Sequence, residues 1–354
     1  MAALGPARPL FVGGCVRDAL MGRASEDIDI AVISPPEETL RLAEAAGLKA
    51  VPTGLDHGVV TVIAEGAPFE VATLRRDVAT DGRRAVVAFT DRIGDDAARR
   101  DFTMNALYAD GDGAVIDPLG EGLGDLDARR IRFIGDADQR IREDYLRILR
   151  FFRFHAQFGI DALDPAGLGA CLAARQGLEA ISAERIGAEM KKLLAAPDPG
   201  PALTAMGPIL RDILPGASWP DDLVGAEADW RLPPDPMRRL AALNPASLDR
   251  LRLSKAEVAQ IDAIRACLGL GLDEAVYRHG ARAATGALAI LGLPFADQTR
   301  RIARAEAAVF PVAAEDLMDR GMTPGPELGA ALKRLEERWI DSGFSATREA
   351  LLGG

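Results

Sequence analysis

The stretch LFVGGCVRDALMGRASEDIDIAVI, residues 10–33, decides the fold of this chain. The apolar run LFV precedes two glycines, and a helical pattern, CVRDALM, begins directly after them. The stretch ends in DIDIAVI, whose alternation and β-branched residues predict a second strand. A strand, a glycine turn, a helix and another strand in this order predict an α+β domain.

The same alternation continues on the C-terminal side of this stretch. PEETLRLAEAAG has helical spacing, whereas VVTVIAE and PFEVATLR have the period-two pattern of strands. After about Asp136 the strand signals vanish, and helical spacing dominates almost to the end. Helices must stop or turn at three clusters of proline and glycine, at 197–202, 214–222 and 231–236. We therefore expect the fold class α+β, with a small mixed sheet followed by an all-α remainder, in domains 1–135, 136–196 and 197–354.

Composition excludes several classes of protein. The 354 residues are 48% hydrophobic and 5% aromatic, which is typical of a globular chain. The sequence shows neither a signal-peptide pattern nor an apolar run of the ~18 residues that a membrane span needs, so we expect a cytoplasmic protein without a membrane or protein partner. Three scattered cysteines argue against disulfides and zinc and favour buried packing positions: Cys15, Cys171 and Cys267. The three histidines show no spacing that suggests a metal or hydrolase centre.

The charge of the chain is unevenly distributed. A formal net charge of −11 would discourage a phosphate-rich partner if it were spread evenly. Residues 129–153 depart from this average, because eight arginines stand there against four acids. On charge counts alone, a solvated helix face with mixed ion pairs is the better interpretation of this segment.

Two carboxylates mark the start of the second predicted strand. Asp27 and Asp29 stand at i and i+2, so both side chains point to one face of the sheet. Paired hard oxygen donors suit Mg²⁺, which prefers carboxylates together with substrate phosphates. Turns and strand edges also produce this pattern often, so it does not decide the question alone. Glu70, on a later predicted strand, is a candidate third catalytic carboxylate, and an exposed strand glutamate is an equally good account.

The glycine turn is a candidate phosphate site. Gly13 and Gly14 lie between a strand and the start of a helix, where a phosphate can approach bare backbone and helix N-terminal amides. Arg17, in the first helical turn, can clamp the anion. An ordinary glycine turn into a helix is the other interpretation, and the nearby aspartates weaken it.

Five motifs carry a resemblance to a known family. In chain order they are VGGCVRDALMG, EDIDIAV, RRDFTMNAL, DPLGEGLGDL and REDYLRILRFFRF. Together they resemble the class II CCA-adding enzyme and bacterial poly(A) polymerase family of the polymerase-β nucleotidyltransferase superfamily, over residues 10 to about 160. Five ordered motifs are far harder to obtain by chance than any one of them.

The resemblance implies a nucleotidyltransferase head followed by a helical neck, body and tail. It implies template-independent addition of C, C and A to the tRNA 3′ end from CTP and ATP, by a two-metal mechanism that uses Mg²⁺. Asp27 and Asp29 match the metal ligands of the family. The positions that match its nucleotide contacts are Gly14, Arg17, Arg100, Asp144, Arg147, Arg150 and Arg153. The helical remainder is expected to grip the acceptor arm of tRNA by shape and phosphate contacts.

The last four of these residues also make chemical sense as a base-reading helix. Asp144 and Arg147 are three apart, so they share a helix face, which Arg150 and Arg153 continue. Cytosine and adenine each offer an amino donor beside a ring-nitrogen acceptor, which an aspartate and an arginine can match. Uracil and guanine would leave polar atoms unpaired, at ~1 to 3 kcal/mol per group.

Other functions stay open at this point. A poly(A) polymerase shares every head motif, although the acidic composition favours tRNA shape recognition over generic RNA binding. A CC-adding or A-adding specialist, a non-catalytic RNA-binding protein and an enzyme acting on a small molecule are further alternatives. In the helical part, Trp339 and Phe344 are expected to anchor helix packing rather than to stack on RNA.

Overall fold

The computed structural model describes residues 1–25, 27–81, 84–293 and 298–353. Glu26, the first residue of the EDIDIAV motif, lies outside the described residues. Contacts divide the chain into two compact units, Met1–Ile213 and Leu214–Gly354. The expected α+β class is confirmed, since a mixed sheet comes first and helices follow it. The domain borders predicted after residues 135 and 196 stay predictions.

The first unit is built on a seven-stranded sheet with the order β3-β4-β5-β2-β1-β8-β9. A separate two-stranded sheet, β6-β7, follows β5 in the chain. Strand β2 runs parallel to β5 and antiparallel to β1, so the sheet is mixed. The strands are β1 Leu10–Val12, β2 Asp29–Val32, β3 Lys49–Gly54, β4 Val59–Ala64, β5 Ala67–Thr73, β6 Arg75–Asp81, β7 Arg84–Phe89, β8 Tyr108–Ala109 and β9 Val115–Ile116.

Strand β2 separates two hydrophobic cores, as its alternating sequence requires. Ile30 and Val32 pack with the valines of β4 and β5 in one core, whereas Ala31 belongs to the other. A strand's side chains alternate between faces, so Asp29 lies on the same face as Ala31. The register therefore directs Asp29 away from the core of Ile30 and Val32.

Helices surround the sheet and complete the first unit. The helix Leu146–Phe158 has nine buried residues and packs against the helices Ala183–Leu194 and Gly200–Met206. The helices of this unit are α1 Gly14–Leu20, α2 Pro36–Ala45, α3 Ile93–Ala98, α4 Gly122–Asp127, α5 Ala137–Glu143, α6 Leu146–Phe158, α7 Pro165–Ala173, α8 Ala183–Leu194, α9 Gly200–Met206 and α10 Pro208–Ile213. Short 3-10 turns occur at Ala2–Ala7, Leu55–His57, Thr103–Asn105 and Arg175–Ala180.

Aromatic rings join α6 to the residues that follow α3. The ring of Phe102 lies 5.0 Å from that of Phe133 and 5.1 Å from that of Phe154, centroid to centroid. Phe133 in turn stacks on Phe151 at 5.5 Å. Rings at these separations add to the gain from burying their area. This aromatic cluster fixes α6 against the part of the chain that carries the RRDFTMNAL motif.

The second unit consists of helices in its described residues. They are α11 Leu223–Asp229, α12 Pro236–Leu243, α13 Lys255–Cys267, α14 Leu272–His279, α15 Ala281–Ile290, α16 Thr299–Glu306, α17 Ala314–Met318, α18 Pro326–Asp341 and α19 Arg348–Leu352, with a 3-10 turn at Asp249–Leu251. No helix is present within 197–199, 214–222 or 231–235, so the predicted proline breaks are confirmed over most of their length. Trp339 is 3% exposed and lies 4.8 Å from the ring of Phe344, which confirms both as packing anchors.

Two further expectations from the sequence concern the cysteines and membrane-spanning helices. All three cysteines are buried and free, as expected of small packing residues. Among the described helices, none is both long and apolar enough to cross a membrane.

We predict that Phe102→Ala destabilises the first unit by ~3 to 5 kcal/mol, because it empties the centre of the aromatic cluster. Phe102 is fully buried. Ile160→Ala is the control, since Ile160 is 68% exposed and its loss should change stability by less than ~0.5 kcal/mol. Urea unfolding of both variants measures the difference, and similar midpoints would contradict the central place of Phe102.

Candidate active site

A cavity of about 770 Å³ lies in the first unit. The glycine turn, the segment before β2, the residues after α3 and one side of α6 form its walls. Seven of the predicted site residues line this cavity: Gly13, Gly14, Arg17, Asp27, Asp29, Arg100 and Arg150. Of the described residues, the other four predicted ones are not among its lining: Glu70, Asp144, Arg147 and Arg153.

Asp27 and Asp29 are the unpaired acids of this cavity. Asp29 is the first residue of β2, and Asp27 precedes the strand. Both are exposed, and within the described part of the chain neither carboxylate has a hydrogen bond or a salt bridge. Loss of water inside the cavity raises the pKa of Asp29, Arg100 opposes this rise, and Asp27 adds to it. Two unpaired like charges at one wall favour a bound cation.

The parallel pairing of β2 with β5 places Glu70 beside Asp29. Asp29 of β2 is the direct partner of Glu70 on β5, which places both side chains on one face of the sheet. Glu70 is exposed and lies outside the cavity lining. Across the described residues, groups of three or more His, Cys, Asp or Glu with metal-binding geometry are absent. A two-carboxylate site still fits Mg²⁺, which takes one or two carboxylates plus waters and phosphates.

The glycine turn needs glycine at its first position. Gly13 has φ 75°, in the region that favours glycine, and its N–H donates to the Leu107 carbonyl at 2.9 Å. A Cβ atom at Gly13 would lie 3.1 Å from the Nη1 atom of Arg100. The turn therefore lets the Arg100 side chain reach the cavity beside the first residue of α1, Gly14.

Arg17 is buried and held from several sides. Its Nη1 atom donates to the Asn105 Oδ1 atom at 2.6 Å, and its Nη2 atom lies 2.8 Å from Asp18 Oδ1. Its guanidinium carbon lies 4.0 Å from the ring centroid of Phe158. Burial lowers the pKa of Arg17, and Asp18 opposes this by hydrogen bonding and charge. Arg17 thus reaches the cavity wall in one fixed position.

Arg100 is oriented by the buried carboxylate of Asp96. The Asp96 Oδ2 atom accepts from Arg100 Nη2 at 3.0 Å and from the Tyr108 hydroxyl at 2.6 Å, while Oδ1 accepts from Arg99. Although burial raises the pKa of Asp96, Arg100 and Arg99 hold it below its usual range. Burial also raises the pKa of the Tyr108 hydroxyl, which keeps it a donor. This network leaves Arg100 beside Gly13.

Asp101 joins α6 to the cavity. Its buried carboxylate accepts from Arg150 Nε at 2.8 Å, from Asn105 Nδ2 at 3.1 Å and from the Phe102 N–H at 2.8 Å. Burial raises the pKa of Asp101, but Arg150 and the hydrogen bonds bring it below the usual value. Because Asn105 also accepts from Arg17, one chain of contacts runs from Arg150 to Arg17.

The other residues of the predicted reading helix lie apart from the cavity. Asp144 precedes α6 and caps the Leu146 N–H at 3.1 Å, and its other oxygen accepts from Arg185 at 2.7 Å. The prediction that Asp144 and Arg147 share a helix face is therefore wrong, because α6 begins at Leu146 and Asp144 lies before it. Arg147 instead pairs with Glu143 at 2.6 Å.

Arg153 is an interior residue in this structure. It is 9% exposed, and its Nε atom donates to Glu189 on α8 at 2.6 Å. Its Nη1 atom donates to Gln157 at 3.2 Å. These contacts tie α6 to α8, and the geometry gives no support to a nucleotide contact by Arg153.

Comparison with known proteins identifies the family. The poly A polymerase head domain family matches residues 10–132. The mitochondrial CCA tRNA nucleotidyltransferase 1 of Danio rerio is 34% identical, over 97% of this chain and 85% of that protein. The CCA-adding enzyme of Streptococcus gordonii is 35% identical, over 96% of this chain and 91% of that protein. The chain belongs to the CCA-adding enzyme family.

Solved structures of CCA-adding enzymes share this fold. The Bacillus stearothermophilus enzyme in complex with CTP has a TM-score of 0.73 and 29% identity, covering 96% of this chain and 91% of that one. The Thermotoga maritima enzyme complexed with tRNA has a TM-score of 0.67 at 22% identity, covering 98% and 90%, which shows the fold alone. This chain is a tRNA nucleotidyltransferase, and its membership of the family implies use of a divalent metal ion.

Several residues that shape the site of this CCA-adding family member were not predicted from the sequence. Asn105 lies inside the quoted RRDFTMNAL motif, and its bridging position is evident only when Arg17 and Asp101 are seen on either side of it. Phe154 and Phe158 lie on the cavity side of α6 at a spacing of four, which the motif and helical period together could have shown.

We predict that Asp101→Asn destabilises the first unit by ~1 to 3 kcal/mol at neutral pH, because Arg150 loses its buried counter-charge. Folding lowers the pKa of Asp101, so its contribution is present above the usual value of 3.8 and is lost as pH falls toward the folded value. The stability gap between wild type and variant should therefore narrow in strong acid. Urea unfolding across pH measures it.

The exposed Asp91 supplies the control for this prediction. Asp91→Asn removes the same charge without a buried partner and should leave stability within ~0.5 kcal/mol of wild type. A gap for Asp101→Asn that stays constant down to the lowest pH would show that the carboxylate charge is not what stabilises the unit.

Proposed function

We propose that this chain adds C, C and A in turn to the 3′ end of tRNA, taking CTP and ATP and releasing pyrophosphate, with Mg²⁺ held by Asp27 and Asp29. The observation that carries the proposal is a pair of carboxylates that have no salt bridge within the described part of the chain and that share a cavity with three arginines. Relatives of the same family support the substrates, since solved CCA-adding enzymes are in complex with CTP, ATP and tRNA.

The chemistry follows from how the cavity distributes charge. A divalent cation bound to Asp27 and Asp29 would lower the pKa of the attacking ribose hydroxyl and neutralise charge on the leaving phosphates. Arg17, Arg100 and Arg150 line the same cavity and offer guanidinium groups to the triphosphate. All three are fixed in advance by Asp18, Asp96 and Asp101, so they need little rearrangement when the charged substrate arrives. The backbone of Gly13 and Gly14 leaves room for a phosphate beside them.

We assign base selection to Arg147, one turn before Arg150 on α6, and to Asp144, which precedes the helix. An acceptor and a donor side by side match the shared edge of cytosine and adenine, and mismatch uracil and guanine. In this structure the two side chains bond to Arg185 and Glu143 instead. Base reading then requires a shift of these pairs toward the cavity.

We place Glu70 and Arg153 outside the direct contacts with the nucleotide. Glu70 lies level with Asp29 and adds negative charge to the same sheet face, which supports a role in attracting the cation. Arg153, through Glu189, holds α6 in place. The helices of the second unit are proposed to bind tRNA, and the cytoplasmic location expected from the sequence belongs to the same proposal.

We predict that Asp29→Ala abolishes nucleotide incorporation while tRNA affinity stays within about twofold of wild type, because the change removes a charge needed only for the chemical step. Primer extension on tRNA and filter binding measure the two quantities. Glu44→Ala, at an exposed position of α2, is the matched loss of one carboxylate and should keep full activity. Turnover by Asp29→Ala comparable to wild type would refute the metal assignment.

Transcripts of tRNA lacking one, two or three terminal residues test the whole proposal in one gel. We expect A, CA and CCA to be added respectively, followed by a stop. A long adenylate ladder on unrelated RNA would identify a poly(A) polymerase instead. Arrest after CC, or addition of A alone, would identify a specialist enzyme.

A further inference from the structure

We propose that Phe158 is a positioning residue whose ring holds Arg17 and Arg23 together at the wall of the nucleotide cavity. Nothing in the family comparison or in the sequence motifs assigns a task to Phe158 or Arg23. The inference rests on the proposed function, because it concerns the cations that receive the triphosphate. It adds Arg23 to the groups that face that anion.

The geometry of Phe158 carries the inference. Phe158 is the last residue of α6, is 6% exposed and lines the cavity. The guanidinium carbon of Arg17 lies 4.0 Å from its ring centroid, and that of Arg23 lies 4.9 Å away. Both distances are within the ~6 Å at which a cation is attracted to the face of an aromatic ring. One ring therefore contacts two arginines from a different part of the chain.

Arg23 depends on this ring more than Arg17 does. Arg17 has a carboxylate partner in Asp18. Arg23 is exposed and donates to the Gln157 carbonyl at 3.2 Å, and among the described residues, which leave out Glu26, no carboxylate forms a salt bridge with it. The Phe158 ring and the Gln157 carbonyl are thus the contacts of Arg23 that the described residues provide.

Two neighbouring guanidinium groups repel each other unless something compensates. Burial is the main cause that lowers the pKa of Arg17, and the nearby charge of Arg23 lowers it further. The negative face of the Phe158 ring offsets part of this repulsion without neutralising either arginine, as a carboxylate would. Arg23 consequently keeps its charge available for an anion, and a triphosphate meets it beside Arg17, which Asp18 and the ring hold in place.

A second aromatic ring strengthens this arrangement. Phe154, one turn earlier on α6, lies 5.5 Å from Phe158 and contacts Arg150 and Arg153 at 5.3 and 4.3 Å. The two rings form a ridge along the cavity side of α6. Arg17 also lies 5.3 Å from the Phe154 ring, so Phe158 is the member of this ridge that adds the contact with Arg23.

The test compares Phe158→Leu, Phe158→Tyr and Phe152→Leu in the full-length protein. Leucine keeps apolar volume but removes the ring face, tyrosine keeps the face, and Phe152 is a fully buried phenylalanine of the same helix outside the cavity lining. The dissociation constants of CTP and ATP are measured by titration, beside KM, kcat and the thermal unfolding midpoint. Nucleotide binding is titrated without turnover, so this measurement tests the role of the Phe158 ring independently of CCA addition.

We expect Phe158→Leu to raise the dissociation constant and KM of both nucleotides by about tenfold, with kcat and the KM of tRNA within about twofold of wild type. Phe158→Tyr should keep the nucleotide affinity near that of wild type, and Phe152→Leu should lower only the thermal unfolding midpoint. Nucleotide affinity within about twofold of wild type in Phe158→Leu, or an equal loss in Phe152→Leu, would overturn the proposal.

Arg23→Gln keeps the proposal testable should Phe158→Leu fail to fold, because Arg23 is exposed. This change should weaken binding of CTP and ATP about threefold in wild type and by less in the Phe158→Leu background, since the ring no longer holds Arg23 there. Unchanged nucleotide affinity in Arg23→Gln would overturn the proposal. A wild-type protein that binds nucleotides but adds no CCA would instead refute the proposed function alone.

Discussion

The buried carboxylate of Asp101 is the contact on which the rest of the site depends. It receives Arg150 from α6 and Asn105 from its own segment, and Asn105 in turn receives Arg17. A buried carboxylate without such partners would cost several kcal/mol, so these groups are held together by the penalty of separating them. The consequence is a fixed distance between α6 and the glycine turn, which are the two sides of the cavity.

The acids of this site divide into two groups by their partners. Asp18, Asp96 and Asp101 are each bonded to arginine, and they orient cations that the cavity presents. Asp27 and Asp29 line the same cavity and have no such partner among the described residues. Aspartate therefore anchors an arginine in the first group, and in the second it is available for the proposed role of cation ligand. What decides between them is whether a guanidinium lies within bonding distance.

The sequence predicts the parts of this site that depend on local periodicity. Alternation in DIDIAVI places Asp29 on one face of β2, and the glycine pair predicts the turn before α1. It does not predict the long-range pairings, since Asp101 and Arg150 are 49 positions apart and Arg17 and Asn105 are 88 apart. The start of α6 was misplaced for a local reason. Aspartate favours a capping position over a helix interior, so Asp144 precedes the helix instead of joining it.

Helix α6 connects two tasks that a template-independent enzyme must coordinate. Under the proposed function, the base is read beside the start of α6 at Asp144 and Arg147, while the phosphates are received along its cavity side, by Arg150 and the arginines on Phe158. The helix has 13 residues and so spans about 20 Å as a rigid rod. Because the aromatic cluster and Asp101 fix this rod to the head, the proposed base site and the proposed phosphate site keep a constant separation. Base and triphosphate belong to one molecule, so a nucleotide whose base does not fit at Asp144 and Arg147 would leave its triphosphate out of place at Arg150.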